Sequence, residues 1–219
     1  YAAERVQGRP LEDKRAKDPV PLTRHPDVRR MLLAQRAIGE GALAVCLYAA
    51  KLSDLSQAAE TEQERARAEL LLGILTPVAK TWPSEMGLVA NHHAIQVHGG
   101  YGYTRDFDVE QIFRDNRLNP IHEGTTGIQG LDLLGRKILF ARSGAFAALM
   151  EERRGAAARA SALPQAAVLL AEIARVEHAV AAAREMAPPE ALAHGTGFLH
   201  AFGHLVIAWL WLDMARGAG

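Results

Sequence analysis

The sequence holds one cysteine, Cys46, among 219 residues, few aromatic side chains (6 %) and no surplus of either charge. A single thiol excludes an internal disulfide and a cysteine-rich metal site, and it suits a reducing compartment such as the cytoplasm. Lys plus Arg and Asp plus Glu number 25 each, so no basic excess is present to neutralise a nucleic acid or an acidic membrane. No uninterrupted apolar run approaches the roughly 18–20 residues that span a bilayer. The most apolar stretch, Leu205 to Ala215, is shorter and carries Asp213, so no membrane span is expected. The opening residues, YAAERVQGRPLEDKRAKDP, contain neither an initiator methionine nor an apolar signal core. They suggest a fragment or a processed piece of a longer polypeptide.

What is present is ample apolar content (49 %) for a real core, arranged at helical spacing. Tyr1 to Gln7 reads as the last turns of a helix stopped by Gly8 and Pro10, and residues 11–26 read as a loop. From Asp27 a helix is predicted, with Met31, Ile38, Ala42, Val45, Ala49 and Leu52 on one face. Leu71, Leu75, Val78, Trp82, Met86 and Val89 continue a second pattern to Val97, which Pro77 and Pro83 should kink or break. A short helix follows over 108–116, then another with Ile128, Leu131, Leu134 and Ile138 inward and Thr125 or Thr126 as its cap. Residues 151–161 read as a hinge or a solvated helix. The next helix, 163–186, groups Val168, Glu172, Arg175, Ala179 and Ala183, and after Pro188-Pro189 a final one spans 192–215. No strand is evident, so the fold class is all-α.

Chemistry concentrates in residues 96–129. The phrase GGYGY, Gly99 to Tyr103, follows a helix rather than a strand, which denies it the setting of a nucleotide-binding loop. It is either a helix C-cap or a bare backbone for a flat or phosphate-bearing ligand. RDFDVEQIFRDNR has opposite charges at helical spacing, as on a solvated face with intrahelical ion pairs. In HEGTTG, Glu123 is either a carboxylate at a helix N-terminus or a catalytic base. Two histidine groups, His92/His93/His98 and His200/His204, lack the companions a metal site requires, so no metal is assigned.

The phrases YAAERVQGRPL, AIQVHGGYGYTRDFDVEQIFRDNRLNPIHEGTTGIQ and GLDLLGRKIL resemble the C-terminal helical domain of acyl-CoA dehydrogenases, over about the first 140 residues. KDP, LLGILTPVAK and the tail FLHAFGHLVIAWLWLDMARGA are similar to the longer bacterial subgroup that includes methylmercaptopropionyl-CoA dehydrogenase. The resemblance implies an up-and-down helical bundle over residues 1–140 with a helical extension over 141–219. It implies a FAD-dependent oxidation of an acyl-CoA thioester to the trans-2-enoyl-CoA, with Glu123 removing the α-proton. The same glutamate's amide would hold the thioester oxygen. Arg5, Gln96, Gly100, Thr125 and Gln129 would contact FAD, and His122 and Gly124 the substrate. Arg5 carries over although the phenylalanine of the family's phrase is missing here. A homodimer or homotetramer and an electron-transfer flavoprotein as acceptor are further implications. An acyl-CoA oxidase on the same fold, or a non-catalytic oligomerisation module, are the alternatives.

Overall fold

The computed structural model describes residues 1–13 and 15–218; Lys14 of the 11–26 loop and Gly219 of the expected extension lie outside the described residues. Its helices are α1 (Pro26–Ala58), α2 (Glu62–His98), α3 (Val109–Asn116), α4 (Thr126–Leu131), α5 (Ala145–Arg159), α6 (Gln165–Arg184), α7 (Pro188–Ala193) and α8 (Gly195–Gly217). A π-helix, Asp132–Leu139, continues α4, and the Gly99–Tyr103 phrase forms a 3-10 helix after α2. Among the described residues there is no strand, only one antiparallel bridge between Val6 and Pro21. The all-α class holds. The chain divides into two compact units, one from Tyr1–Glu40 with Ser84–Asn119, the other from Gly41–Pro83 with residues 120 onward.

In the first unit, Met31 and Val97 pack with Ala2, Leu22, Val28 and Leu32. Residues 1–7 are not a helix. Glu4 and Arg5 both donate their amides to the Tyr1 carbonyl, giving one turn, and then Gln7 pairs with Val20 and Leu22 with Arg5. That cross-chain pairing uses the backbone groups a helix would need. The Tyr1 ring stacks on His98 at 4.3 Å, and its hydroxyl donates to the His98 carbonyl (3.2 Å). On α3, Arg114 reaches Glu110 at 3.0 Å, the exposed ion pair its spacing predicts.

The predicted stripe of α1 is present: Met31, Ile38, Val45 and Leu52, seven residues apart, are all buried. Helix α2 starts at a reciprocal cap, with Thr61 Oγ1 accepting from the Glu64 amide and Glu64 accepting from the Thr61 amide. Neither proline breaks α2. Pro77 has no N–H for the Gly73 carbonyl four residues back, and the Lys137 ammonium donates to that oxygen instead. Ahead of Val89, which is exposed, the predicted apolar positions Leu71, Leu75, Val78 and Trp82 are buried.

Leu134 and Ile138 are buried as predicted, but Ile128 and Leu131 face outward, and Leu133 is buried in their stead. The wider winding of the π-helix, whose last bond runs from the Phe140 amide to Gly135 five residues back (2.9 Å), turns the apolar face away from a 3.6-residue period. Residues 151–161 are no hinge. They belong mostly to α5, which buries Met150, Arg153, Ala156 and Ala157. Arg153 is wholly enclosed, its guanidinium 4.6 Å from the centre of the Trp209 ring and donating to Leu149 (3.0 Å). Desolvation lowers it to about 9, which leaves it charged at neutral pH.

Helix α6 buries Leu169, Ile173, Val176, Val180 and Ala183, and the other four residues grouped by their spacing share a face beside the buried one. Val168, Glu172, Arg175 and Ala179 line an apolar groove of about 910 Å³ with α8, floored by residues such as Phe198 and Trp211. In α8, Trp209 and Leu210 are buried, while Trp211 is half-buried. Gly130 of α4 and Gly195 of α8 meet backbone to backbone: a Cβ on Gly130 would lie 2.7 Å from the Gly195 carbonyl carbon. The helices approach this closely because neither position carries a side chain. By length and composition α1 and α8 are each long and apolar enough to cross a bilayer, a test that core helices of soluble proteins also pass.

Candidate functional site

The chain leaves α3 through a run of turns, residues 117–123, before Thr125 caps α4 by accepting from the Ile128 amide (3.5 Å). Of the two threonines the sequence offers as caps, Thr125 takes the position. Between these turns and the cap lie Glu123 and Gly124. Glu123, at φ 52°, is the one non-glycine residue with positive φ among the described residues, and Gly124 follows at φ 100°. A side-chain-bearing residue held there costs about 1–3 kcal/mol and persists only where its surroundings determine it.

Three contacts determine it here. Lys80, one turn past Pro77 on α2, donates its ammonium to the Gly124 carbonyl oxygen at 2.6 Å. The Gln129 side-chain amide donates to the Glu123 carbonyl (3.4 Å) and fills the space beside Gly124, where a Cβ would lie 2.7 Å from Gln129 Nε2. The Thr125 cap fixes the first turn of α4. The backbone is thus tied down while the Glu123 side chain is exposed, as is His122. An apolar slot around the carboxylate is not supplied by the described residues of this chain.

The second unit therefore gathers His122, Glu123, Gly124, Thr125 and Gln129 on one turn and the helix it opens. Arg5, Gln96 and Gly100 lie in the first. Arg5 sits 5.7 Å over the exposed Tyr101 ring. Gln96 is exposed near the end of α2, and a Cβ on Gly100 would meet nothing within 4 Å. An uncovered backbone next to a guanidinium fits a flat, phosphate-bearing group such as FAD. Sequence reasoning missed Lys80. Only its place between two prolines hinted at anything, and that hint concerned helix geometry rather than the turn it holds.

An all-helical domain with a strained, tethered glutamate exposed before a capped helix is a scaffold for presenting a carboxylate. Residues 10–139 match the family model of the acyl-CoA dehydrogenase C-terminal domain, and residues 139–219 match one described as acetyl-CoA dehydrogenase C-terminal like. The chain belongs to the acyl-CoA dehydrogenase family. It is 38 % identical to 3-methylmercaptopropionyl-CoA dehydrogenase of Ruegeria pomeroyi, over 95 % of this chain and 37 % of that protein. It is also 38 % identical to a butyryl-CoA dehydrogenase of Syntrophomonas wolfei, over 63 % of this chain and 23 % of that one. The chain thus spans little more than a third of these relatives' length at most. The crystal structure of Caenorhabditis elegans ACDH-11 in complex with C11-CoA has the same fold, with a TM-score of 0.77 at 20 % identity, over 93 % of this chain and 35 % of that one.

Proposed function

We propose that this chain is the C-terminal helical portion of a FAD-dependent acyl-CoA dehydrogenase in which Glu123 is the base. The observation that carries the reading is the Glu123 turn: a non-glycine residue kept in the left-handed region, its backbone tethered and its carboxylate outward. Such strain is characteristic of functional positions. The carboxylate takes the α-proton of the acyl-CoA thioester, and the Glu123 amide stabilises the thioester oxygen as charge develops on it. His122 and Gly124 border the acyl group. FAD, when bound, would supply the hydride acceptor for the β-hydrogen, so that loss of both hydrogens gives the trans-2-enoyl-CoA. Arg5, Gln96, Gly100, Thr125 and Gln129 would hold it, and an electron-transfer flavoprotein would take the electrons onward in the cytoplasm.

Residues 1–140 form the catalytic bundle of this proposal and residues 141–219 an extension, a division supported by the two family models meeting at residue 139. Self-association into a dimer or tetramer is supported by α1, where Leu43 and Leu47 are 60 % and 61 % exposed on one side. The isolated chain is inactive in this reading. The test is Glu123→Gln in the full-length polypeptide. It should retain FAD yet lose bleaching of the flavin by acyl-CoA, whereas bleaching at the parent rate would remove Glu123 from the role.

A further inference from the structure

Lys80 is absorbed by nothing in the proposed reaction, yet it is the one cation that the described residues place on the glutamate turn. Its ammonium donates to the Gly124 carbonyl at 2.6 Å, across 44 residues of sequence. The Gly124 carbonyl belongs to the peptide that separates the strained pair from the α4 cap. Fixing that plane sets ψ of Gly124 and, through it, the direction in which Glu123 leaves the backbone. The remaining ties are weaker: Gln129 reaches the Glu123 carbonyl at 3.4 Å, and the Thr125 cap is 3.5 Å long. An ammonium hydrogen bond is charge-assisted and stronger than either neutral contact.

Lys80 is itself well anchored. It lies on α2 between Pro77 and Pro83, in a segment that the Lys137 ammonium grips at the Gly73 carbonyl. The π-helix that supplies Lys137 is the continuation of α4. Two lysines thus tie α2 to the stretch bearing Glu123, one at each end of it. Loss of Lys80 would free the end that holds the carboxylate.

We infer that Lys80 is a positioning residue for the catalytic glutamate, holding the Glu123–Gly124 turn in its left-handed form so that the carboxylate and the Glu123 amide face one substrate atom pair. The inference rests on the reading of Glu123 as the base. A displacement of the base on the order of 1 Å costs about 10²-fold in rate, so the effect belongs to turnover rather than to substrate affinity.

The experiment compares Lys80→Met and Lys80→Arg in the full-length, FAD-loaded polypeptide, with saturated straight-chain acyl-CoA thioesters tried singly to find the best substrate. Three quantities are read: hydrogen exchange of the amides of residues 123–126 without substrate, entry of solvent deuterium at the α-carbon, and flavin bleaching at saturation. In Lys80→Met the amides should exchange roughly tenfold faster, as for loss of one hydrogen bond. Deuterium entry and bleaching should fall about 10- to 100-fold with KM little changed. Lys80→Arg, whose guanidinium reaches the same carbonyl, should restore most of both. Unchanged amide exchange in a folded Lys80→Met protein overturns the inference, as does a turnover that falls only with the folded fraction measured by circular dichroism. Persistence of bleaching in Glu123→Gln would instead refute the base assignment, while the amide exchange still reads whether Lys80 holds the turn.

Discussion

Two glycine-bearing turns invite comparison: Gly99–Tyr103 after α2 and Glu123–Gly124 before α4. Both follow helices and both contain a glycine at positive φ, Gly99 at 61° and Gly124 at 100°. The first is open at its start, where a Cβ on Gly99 or Gly100 would meet nothing beyond its chain neighbours within 4 Å, although Gly102 is packed against Ile95. The second is crowded, held by Lys80, Gln129 and the Thr125 cap, and a methyl on its glycine would have to displace the Gln129 amide. An open turn leaves backbone free for a ligand to lie against. A closed one fixes a side chain where it would not go by itself.

The comparison breaks most visibly at Glu123. Replacement by Gln should lower the proton-abstraction rate by about 10²- to 10⁴-fold. Replacement by Gly should abolish the reaction and at the same time raise stability by about 1 kcal/mol, because glycine adopts φ 52° without strain. A Glu123→Gly protein that melts below its parent would deny that the turn is strained. Next in size is Gly130→Ala, where the new methyl meets the Gly195 backbone. A loss of about 1–3 kcal/mol is expected in chemical denaturation, since backbone yields less readily than a side chain.

The same Gly→Ala change then separates the two turns. At Gly124 it should cost about 1–2 kcal/mol, through the left-handed φ together with the need to displace Gln129. At Gly100 it should alter stability by no more than about 0.5 kcal/mol, because the methyl enters open space. If FAD lies against that backbone, Gly100→Ala weakens its retention while leaving the melting temperature alone. Equal costs at the two positions would erase the distinction between them.

Much of this was legible in the chain because burial repeats. Met31, Ile38, Val45 and Leu52 recur at seven, and a helix face so regular needs no partner to be recognised. Glu123 stood out through the glycine beside it. What stayed hidden depends on distant residues supplying what local rules forbid. Pro77 predicts a damaged helix until Lys137 meets the stranded carbonyl of Gly73, 64 residues before it in the chain. Leu134 and Ile138 part from the face of Ile128 and Leu131 because a π-helix, which no hydrophobic period announces, begins between them. On α6, Val168, Glu172, Arg175 and Ala179 share the face their spacing predicts, but several faces of an alanine-rich helix have similar apolar character, and only the packing of α5 and α8 selects the buried one. Lys80 ends the phrase LLGILTPVAK, yet nothing in that phrase says what it holds, since one lysine on a helix looks like any other until the turn it touches is folded against it.

The contact between Gly130 and Gly195 has a consequence for inheritance. One glycine sits in the helix that carries the capped turn, the other at the start of the last helix of the C-terminal extension. A methyl on either would press on the backbone of the other, and since neither residue can become smaller, a change at one cannot be compensated at the other. A suppressor of a substitution at one glycine is therefore to be sought among residues that let α8 tilt, and not at the turn whose chemistry was lost.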